Sequence, residues 1–124
     1  MNAVIVLGHG SRATGVAEQM DQVAAALAVR LSDMVVRSAH RELCDPSLEA
    51  VVEELVQGGS QRIVVVPYFL HLGNHLQKDI PEQLDALRKV YPHVELVLAD
   101  HLGFDERFVA VLEDRVNAAL VKSP

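Results

Sequence analysis

Aromatic residues are scarce in this chain of 124 residues, which has three Phe, two Tyr and no Trp. Single-stranded nucleic acids are held largely by stacking of their bases on aromatic side chains, so this composition argues against a nucleic-acid-binding platform. The formal net charge of −6 points the same way, because a negative field repels phosphate backbones and anionic membrane surfaces. A small anionic ligand stays compatible with this charge, since a few basic side chains dominate the potential inside a cleft.

Cysteine is also rare, and long apolar runs are absent. Cys44 is the single cysteine, which excludes an intrachain disulfide and an iron–sulfur cluster held by one chain. No apolar run approaches the roughly 20 residues that cross a bilayer. The segment from Met1 to Leu7 lacks the basic start and the small-residue cleavage site of a signal peptide. These absences predict a protein of the reducing cytoplasm that has no membrane partner.

Short apolar runs alternate along the sequence with longer segments of helical period. The run from Ala3 to Leu7 is apolar throughout and ends at Gly8, as expected for a strand buried on both faces. Three further strands are predicted, at residues 34–42, 62–70 and 94–99. The run at 34–42 is the most polar, which places it at a sheet edge. Pro67 predicts that pairing of the third strand is interrupted near its carboxyl end.

Each predicted strand is followed by a segment in which apolar residues recur every three or four positions, the pattern of an amphipathic helix. Ser47 or a neighbour is the expected N-cap of the second helix, and Gly58-Gly59 ends it. Asp79 is a candidate cap in front of Pro81, so the third helix begins near either Asn74 or Pro81. The other two helices are predicted at about residues 14–31 and 105–121. Four βα units in one domain, residues 1–124, predict an α/β fold of three layers, α/β/α, around a parallel four-stranded sheet.

The segment Gly8-His9-Gly10-Ser11-Arg12 directly follows the first predicted strand. Its two glycines let the backbone turn sharply and leave the imidazole unshielded. Because the loop also opens a helix, its free N–H groups can bind an anion. In an open parallel sheet, ligands bind at the carboxyl ends of the strands, near the point where the strand order reverses. The loop is therefore a candidate functional site, with an ordinary turn as the alternative.

A carboxylate and two further histidines lie at other strand ends. Glu42 ends the second predicted strand, where residue type alone favours a solvated carboxylate. His71 and His75 follow the third strand, but Gly73 between them disfavours one continuous helix, so the pair alone is weak evidence for a metal site. Imidazole and carboxylate ligands together suit first-row divalent metals without choosing among them.

Apolar and basic side chains surround these candidate ligands. Apolar residues before Gly73 can form a hydrophobic wall for a flat ligand, and three basic residues near the site can pair with substrate carboxylates or simply be solvated. His93 precedes the fourth strand at the opposite edge of the sheet, and His101 follows that strand; we expect both to be structural. The wall residues are Tyr68, Phe69, Leu70 and Leu72, and the basic residues are Arg12, Arg41 and Lys78.

Three segments together resemble one family: GHGSR at 8–12, ELCDPSLEAVVEELVQGG at 42–59 and VVVPYFLHLGNHLQKDIPEQL at 64–84. They are similar to the small single-domain sirohydrochlorin chelatases of the CbiX type, which belong to the class II chelatases and insert a divalent metal into a tetrapyrrole. The resemblance covers nearly the whole chain, with the last strand and helix matching mainly in pattern. It implies a parallel sheet of strand order 2-1-3-4 and a homodimer.

The resemblance also implies roles for individual residues. The family's metal-binding His in GHGS falls on His9, and its His in G-x-H-x-x-x-D-[IL]-P falls on His75. The acidic residue of its E-x-x-x-P-S segment falls on Glu42, which reverses the interpretation drawn from residue type alone. These three side chains are the expected metal ligands and catalytic groups. His71 falls at a variable position and is assigned no role.

Metal insertion requires the macrocycle to lose two pyrrole protons, the ion to shed water and the ring to deform. We expect His9 and His75 to hold the ion, and Glu42 to be a third ligand or a proton acceptor. Ser11, Arg12 and the wall with Gly73 are the expected contacts of the sirohydrochlorin substrate. No cofactor is expected beyond the substrate metal ion, for which cobalt is favoured over iron and nickel. Cobalt would place the reaction in cobalamin biosynthesis and iron in sirohaem biosynthesis.

Three other functions stay open on the sequence. A non-catalytic metal or tetrapyrrole carrier would use the same histidines without turnover. A hydrolase or phosphoryl-transfer enzyme would use Ser11, although no Asp-His-Ser arrangement is evident. An interaction module is also compatible, because a fold alone does not fix a function.

Overall fold

A computed structural model describes residues 2–122; Met1, Ser123 and Pro124, at the ends of the predicted domain, lie outside the described residues. Every predicted strand and helix is present, in the predicted order. The elements are β1 (Asn2–Gly8), α1 (Val16–Arg30), β2 (Val35–His40), α2 (Leu48–Gln57), β3 (Arg62–Pro67), α3 (Asn74–Val90), β4 (Glu95–Leu98) and α4 (Glu106–Lys122).

The four strands form one parallel sheet of order β2-β1-β3-β4, which confirms the predicted topology. β1 is central, and its run from Ala3 to Leu7 is buried on both faces. β2 lies at an edge, as its polarity predicts. The order reverses at β1, so the loops that follow β1, β2 and β3 leave from neighbouring strand ends.

Helices cover both faces of the sheet and complete the three layers. Odd-numbered β1 residues such as Ile5 and Leu7 pack against α2 and α3, whereas Val4 and Val6 pack against Met20 and Ala24 of α1. The alternation follows from the two-residue period of a strand, which sends successive side chains to opposite faces. Helix α4 is different, because none of its side chains is buried. None of the helices within residues 2–122 is long and apolar enough to cross a membrane.

The local signals at the helix ends are confirmed in part. The Ser47 side chain caps α2 by accepting a hydrogen bond from the Ala50 N–H at 3.1 Å. Helix α3 begins at Asn74 and continues through Pro81, so the prediction of Asp79 as a helix boundary is wrong. Burial of Ile80 and Leu84 on either side of the proline holds the helix together there, and the carbonyl left without a donor belongs to an exposed residue.

Two strands end at least two residues earlier than predicted. β2 ends at His40, so Glu42 lies in the following loop rather than on the strand. β3 ends at Pro67, which has no N–H for a further ladder bond. These shorter strands place Glu42 and the residues from Tyr68 onward in loops above the carboxyl edge of the sheet.

Candidate functional site

The loop after β1 is locked against the loop after β2 by backbone contacts. The Arg41 N–H donates to the Gly8 carbonyl at 2.9 Å. Gly10 has a φ of 99°, in the left-handed region, and a Cβ placed there would overlap the carbonyl oxygen of Glu42 and lie 2.7 Å from its carbonyl carbon. Only glycine allows this close approach without strain. The two glycines of the segment therefore bring the backbone of His9 next to that of Glu42.

The side chains of His9 and Glu42 meet above this contact. The distance from His9 Nε2 to Glu42 Oε1 is 4.0 Å, and about half of each side chain is exposed. The carboxylate also lies 3.3 Å from the guanidinium of Arg41. An imidazole and a carboxylate thus lie side by side, half-exposed, at the carboxyl ends of β1 and β2, where both can reach a bound ion or a transferable proton.

Arg41 connects this pair to helix α3. Its Nη2 donates to Asp79 Oδ2 at 2.9 Å, and its side chain is only 17% exposed. Asp79 is four residues after His75, so the two side chains lie on one face of α3. The salt bridge therefore fixes the first turns of α3 relative to the loop that carries Glu42. A surface cation was the alternative for Arg41, and its burial between two carboxylates rules that out.

The predicted apolar wall stands beside His9. The Phe69 ring meets the His9 imidazole edge-on, with centroids 5.9 Å apart and planes at 75°. Tyr68 and Leu70 point outward and are 37% and 53% exposed, while Phe69 and Leu72 pack partly against the core. The Tyr68 N–H donates to the Leu7 carbonyl at 2.8 Å, which fixes the wall to the end of β1.

A cavity of about 270 Å³ separates His9 from the start of α1, and His40 lines its floor. His40 is fully buried, and neither ring nitrogen has a hydrogen-bond partner among the described residues. The sequence assigned His40 no role. The signal that could have identified it is a histidine at the carboxyl end of a strand next to the central strand.

His75 lies in the first turn of α3 with an exposed side chain. Between Asn2 and Lys122, no three His, Cys, Asp or Glu side chains converge as a metal site. The structure therefore brings His9 and Glu42 together but leaves His75 outside a common cluster. The role of His75 as a third ligand stays a prediction.

The remaining predicted contacts are distributed around the same edge. Ser11 accepts a hydrogen bond from the Ala13 N–H at 2.9 Å and so shapes the loop, while the Arg12 side chain is exposed to solvent. Gly73 is the N-cap residue of α3. A second, wider cavity of about 620 Å³ opens on the other side of the wall, between the loop after β3 and α4. Its lining includes Leu70, His71, Leu72, His101, Phe104, Phe108 and Leu112.

An ion pair marks the start of α4. Arg107 donates to both carboxylate oxygens of Asp105, at 2.8 and 2.6 Å. These hydrogen bonds hold the pKa of Asp105 well below its usual range. The carboxylate therefore keeps its charge at any pH at which the protein would work.

Comparison with known proteins gives a consistent result. The CbiX family model matches residues 3–119. A sirohydrochlorin ferrochelatase from Priestia megaterium is 32% identical over 94% of this chain, which spans only 44% of that relative. A sirohydrochlorin cobaltochelatase from Methanopyrus kandleri is 30% identical, and the match covers 97% of this chain and 98% of the relative. The crystal structure of a CbiX protein from Marinobacter aquaeolei VT8 superposes with a TM-score of 0.84 at 29% identity, over 99% of this chain and all of that one. The chain belongs to the CbiX family.

Proposed function

We propose that this chain is a chelatase that inserts a divalent metal ion into sirohydrochlorin. The observation that carries the proposal is the half-exposed His9–Glu42 pair, 4.0 Å apart beside an aromatic and aliphatic wall. A family whose relatives are named sirohydrochlorin ferrochelatase and cobaltochelatase supplies the substrate class.

The reaction exchanges two protons of the macrocycle for one ion, so a catalyst must hold the ion and receive protons near one place. A neutral imidazole binds first-row metals and can also accept a proton. In this proposal His9 holds the incoming ion, and Glu42 is a further ligand or takes a pyrrole proton. Their exposure of about half leaves room for the ion to shed water as it passes to the ring.

His75 completes the proposed ligand set from α3. The Arg41–Asp79 salt bridge holds the helix face that carries His75 close to the Glu42 loop. The His75 side chain is exposed, so a change of side-chain rotamer can move it toward the ion. We therefore expect His75 to join His9 and Glu42 when the substrate metal is bound.

The macrocycle would lie against the wall formed by Tyr68, Phe69, Leu70 and Leu72. Tyr68 and Leu70 offer exposed apolar surface on either side of Phe69, whose ring contacts that of His9. The wider cavity beyond the wall, about 620 Å³, is within the size range of small-molecule binding sites. Arg12 is exposed and free to pair with a peripheral carboxylate, and the Ser11 loop offers backbone N–H groups for the same purpose.

Cobalt is the metal that we favour, with iron and nickel as alternatives. This preference is supported by a cobaltochelatase relative that this chain matches over 98% of its length. The ferrochelatase relative, in contrast, is more than twice as long as the segment that this chain matches. The ligand types themselves do not choose among these ions. With cobalt, the reaction belongs to cobalamin biosynthesis. We further propose a cytoplasmic homodimer that needs no cofactor beyond the substrate ion.

The test is the absorption spectrum of sirohydrochlorin in the presence of limiting protein, titrated separately with Co²⁺, Fe²⁺ and Ni²⁺. A chelatase converts many equivalents of the macrocycle faster than the uncatalysed reaction, and the relative rates rank the metals. Conversion of no more than one equivalent, together with tight binding of ion or macrocycle, would show a carrier and refute the proposal.

A further inference from the structure

His40 is a buried polar side chain that the proposed mechanism does not use. Its ring is fully buried, and neither ring nitrogen has a hydrogen-bond partner among residues 2–122. A neutral imidazole carries one N–H donor and one acceptor nitrogen, and a buried donor without a partner destabilises the folded state. Natural proteins keep few such groups, and each one calls for a partner or a role. His40 therefore indicates a binding place at the carboxyl end of β2.

The cavity of about 270 Å³ above His40 is surrounded by hydrogen-bond donors. The polar side chains of its lining are those of His9, Ser11, Gln19, His40 and Tyr68, and each of them can donate a hydrogen bond. Within residues 2–122 no acidic side chain lines the cavity, although the chain has 17 Asp and Glu residues. These surroundings favour a ligand that accepts hydrogen bonds.

Helix α1 begins at the same cavity. Val16 is its first residue and lines the cavity, and no side chain of the described part of the chain caps the helix at Gly15. The first N–H groups of a helix have no partner within the helix, and the helix dipole places partial positive charge there. The acidic residue of the first turn, Glu18, is exposed and does not line the cavity. An uncapped helix start beside an imidazole without a partner suits an anion, whose oxygens accept hydrogen bonds from both.

We propose that this cavity binds one peripheral carboxylate of sirohydrochlorin, with His40 and the first N–H groups of α1 as donors. The choice of ligand rests on the proposed function, which takes a tetrapyrrole with carboxylate side chains as the substrate. A volume of about 270 Å³ is below the range that holds a whole organic ligand but is ample for one carboxylate arm. Tyr68 and Phe69 belong both to the cavity lining and to the apolar wall, so an arm bound here leaves its ring against the wall beside His9. His40 thereby sets the orientation of the ring.

Met20 lies beside the His40 ring and can give way to an incoming oxygen. A Cβ placed at Gly8 would lie 3.4 Å from His40 Nδ1 and 3.3 Å from Met20 Sδ, so the imidazole and the thioether both lie against Gly8. Methionine is unbranched and adapts its shape readily. This site adds to the proposed contact of Arg12, which is exposed and does not line the cavity.

Fluorescence titration of metal-free sirohydrochlorin tests the site without metal insertion. His40→Leu removes the donor and keeps an apolar side chain of similar size, whereas His40→Gln keeps an N–H donor. We expect the dissociation constant to rise at least about tenfold in His40→Leu, the effect of one hydrogen bond to a charged group, and to stay within about threefold of the wild type in His40→Gln. Ser38→Ala is the matched control and should leave the constant unchanged, because Ser38 is a buried polar residue of β2 that does not line this cavity.

An unchanged dissociation constant in His40→Leu, or an equal rise in Ser38→Ala, overturns the proposal. Neither result touches the proposed function, because metal insertion by the wild type is measured separately; a wild type that binds no macrocycle would overturn both. Circular dichroism and urea denaturation check the fold. His40 has no hydrogen bond within residues 2–122 to lose, so His40→Leu should unfold at the same urea concentration as the wild type or at a higher one.

NMR spectra of the wild-type chain locate the bound carboxylate without any substitution. The backbone N–H resonances of Val16 and Ala17 and the ring resonances of His40 should shift when metal-free sirohydrochlorin is added. Shifts confined to the apolar wall, with these resonances unchanged, overturn the proposal. Sodium acetate, compared with sodium chloride at equal ionic strength, identifies the source of the carboxylate. Shifts of these resonances with acetate but not with the macrocycle would assign the site to a free carboxylate and would overturn the proposal as well.

Discussion

Replacing Gly10 by alanine tests how the loop after β1 positions the proposed catalytic pair. A methyl group there would overlap the Glu42 carbonyl, so the Glu42 backbone must move by on the order of 1 Å. A displacement of that size in a catalytic arrangement costs about 100-fold in rate. The φ of 99° adds about 1–2 kcal/mol of backbone strain. We therefore expect Gly10→Ala to slow metal insertion about 100-fold, measured from the initial change in absorbance.

Gly15→Ala separates strain from displacement. Gly15 has nearly the same φ, 92°, but a Cβ at Gly15 would have no neighbour within 4 Å. Both variants should therefore lose about 1–2 kcal/mol of unfolding free energy from strain, whereas only Gly10→Ala should lose the rate. Equal rates for the two variants would refute the view that contact with the Glu42 backbone sets the geometry of the site.

Two further predictions concern the supports of the site and of the fold. Arg41→Met should slow insertion about tenfold, because Glu42 and Asp79 lose the cation between them. Arg37→Met, on the exposed side of β2, is the control and should not slow it. Insertion kinetics at varied metal concentration check both variants, and equal rates would count against a positioning role for Arg41. Ser47→Ala should lower the free energy of unfolding by about 1 kcal/mol, because it removes the cap of α2. Urea denaturation measures this loss, with Ser32→Ala as the control. An unchanged free energy of unfolding would exclude the cap as a stabilising contact.

Much of the fold follows from local sequence patterns. The apolar run of β1 and its abrupt end at Gly8 identify a central strand and the loop above it, because only a strand buried on both faces is apolar throughout. The start of α3, in contrast, could not be decided from local sequence patterns. Pro81 carries the local signal of a helix start, but burial of Ile80 and Leu84 stabilises the helix on both sides of it. Tertiary packing, which no local signal reveals, decides such a case.

The candidate site was harder to predict from local sequence patterns than the fold. His9 is marked by its two glycines, but residue type alone favours a solvated carboxylate at Glu42, and only the family resemblance pointed to a functional role. The salt bridge between Arg41 and Asp79 joins residues 38 positions apart, so it depends on the folded sheet. Helix α4 is equally ambiguous, since an amphipathic period shows that a helix has an apolar face but not which surface covers it.

The most direct test of the account is the initial rate of metal insertion into sirohydrochlorin by His9→Ala, compared with His93→Ala. His93 is an exposed histidine at the opposite edge of the sheet, just before β4, and controls for loss of an imidazole as such. If His9 holds the ion as proposed, His9→Ala loses at least about 100-fold in rate with its fold intact, while His93→Ala keeps the wild-type rate. A wild-type rate in His9→Ala would contradict it.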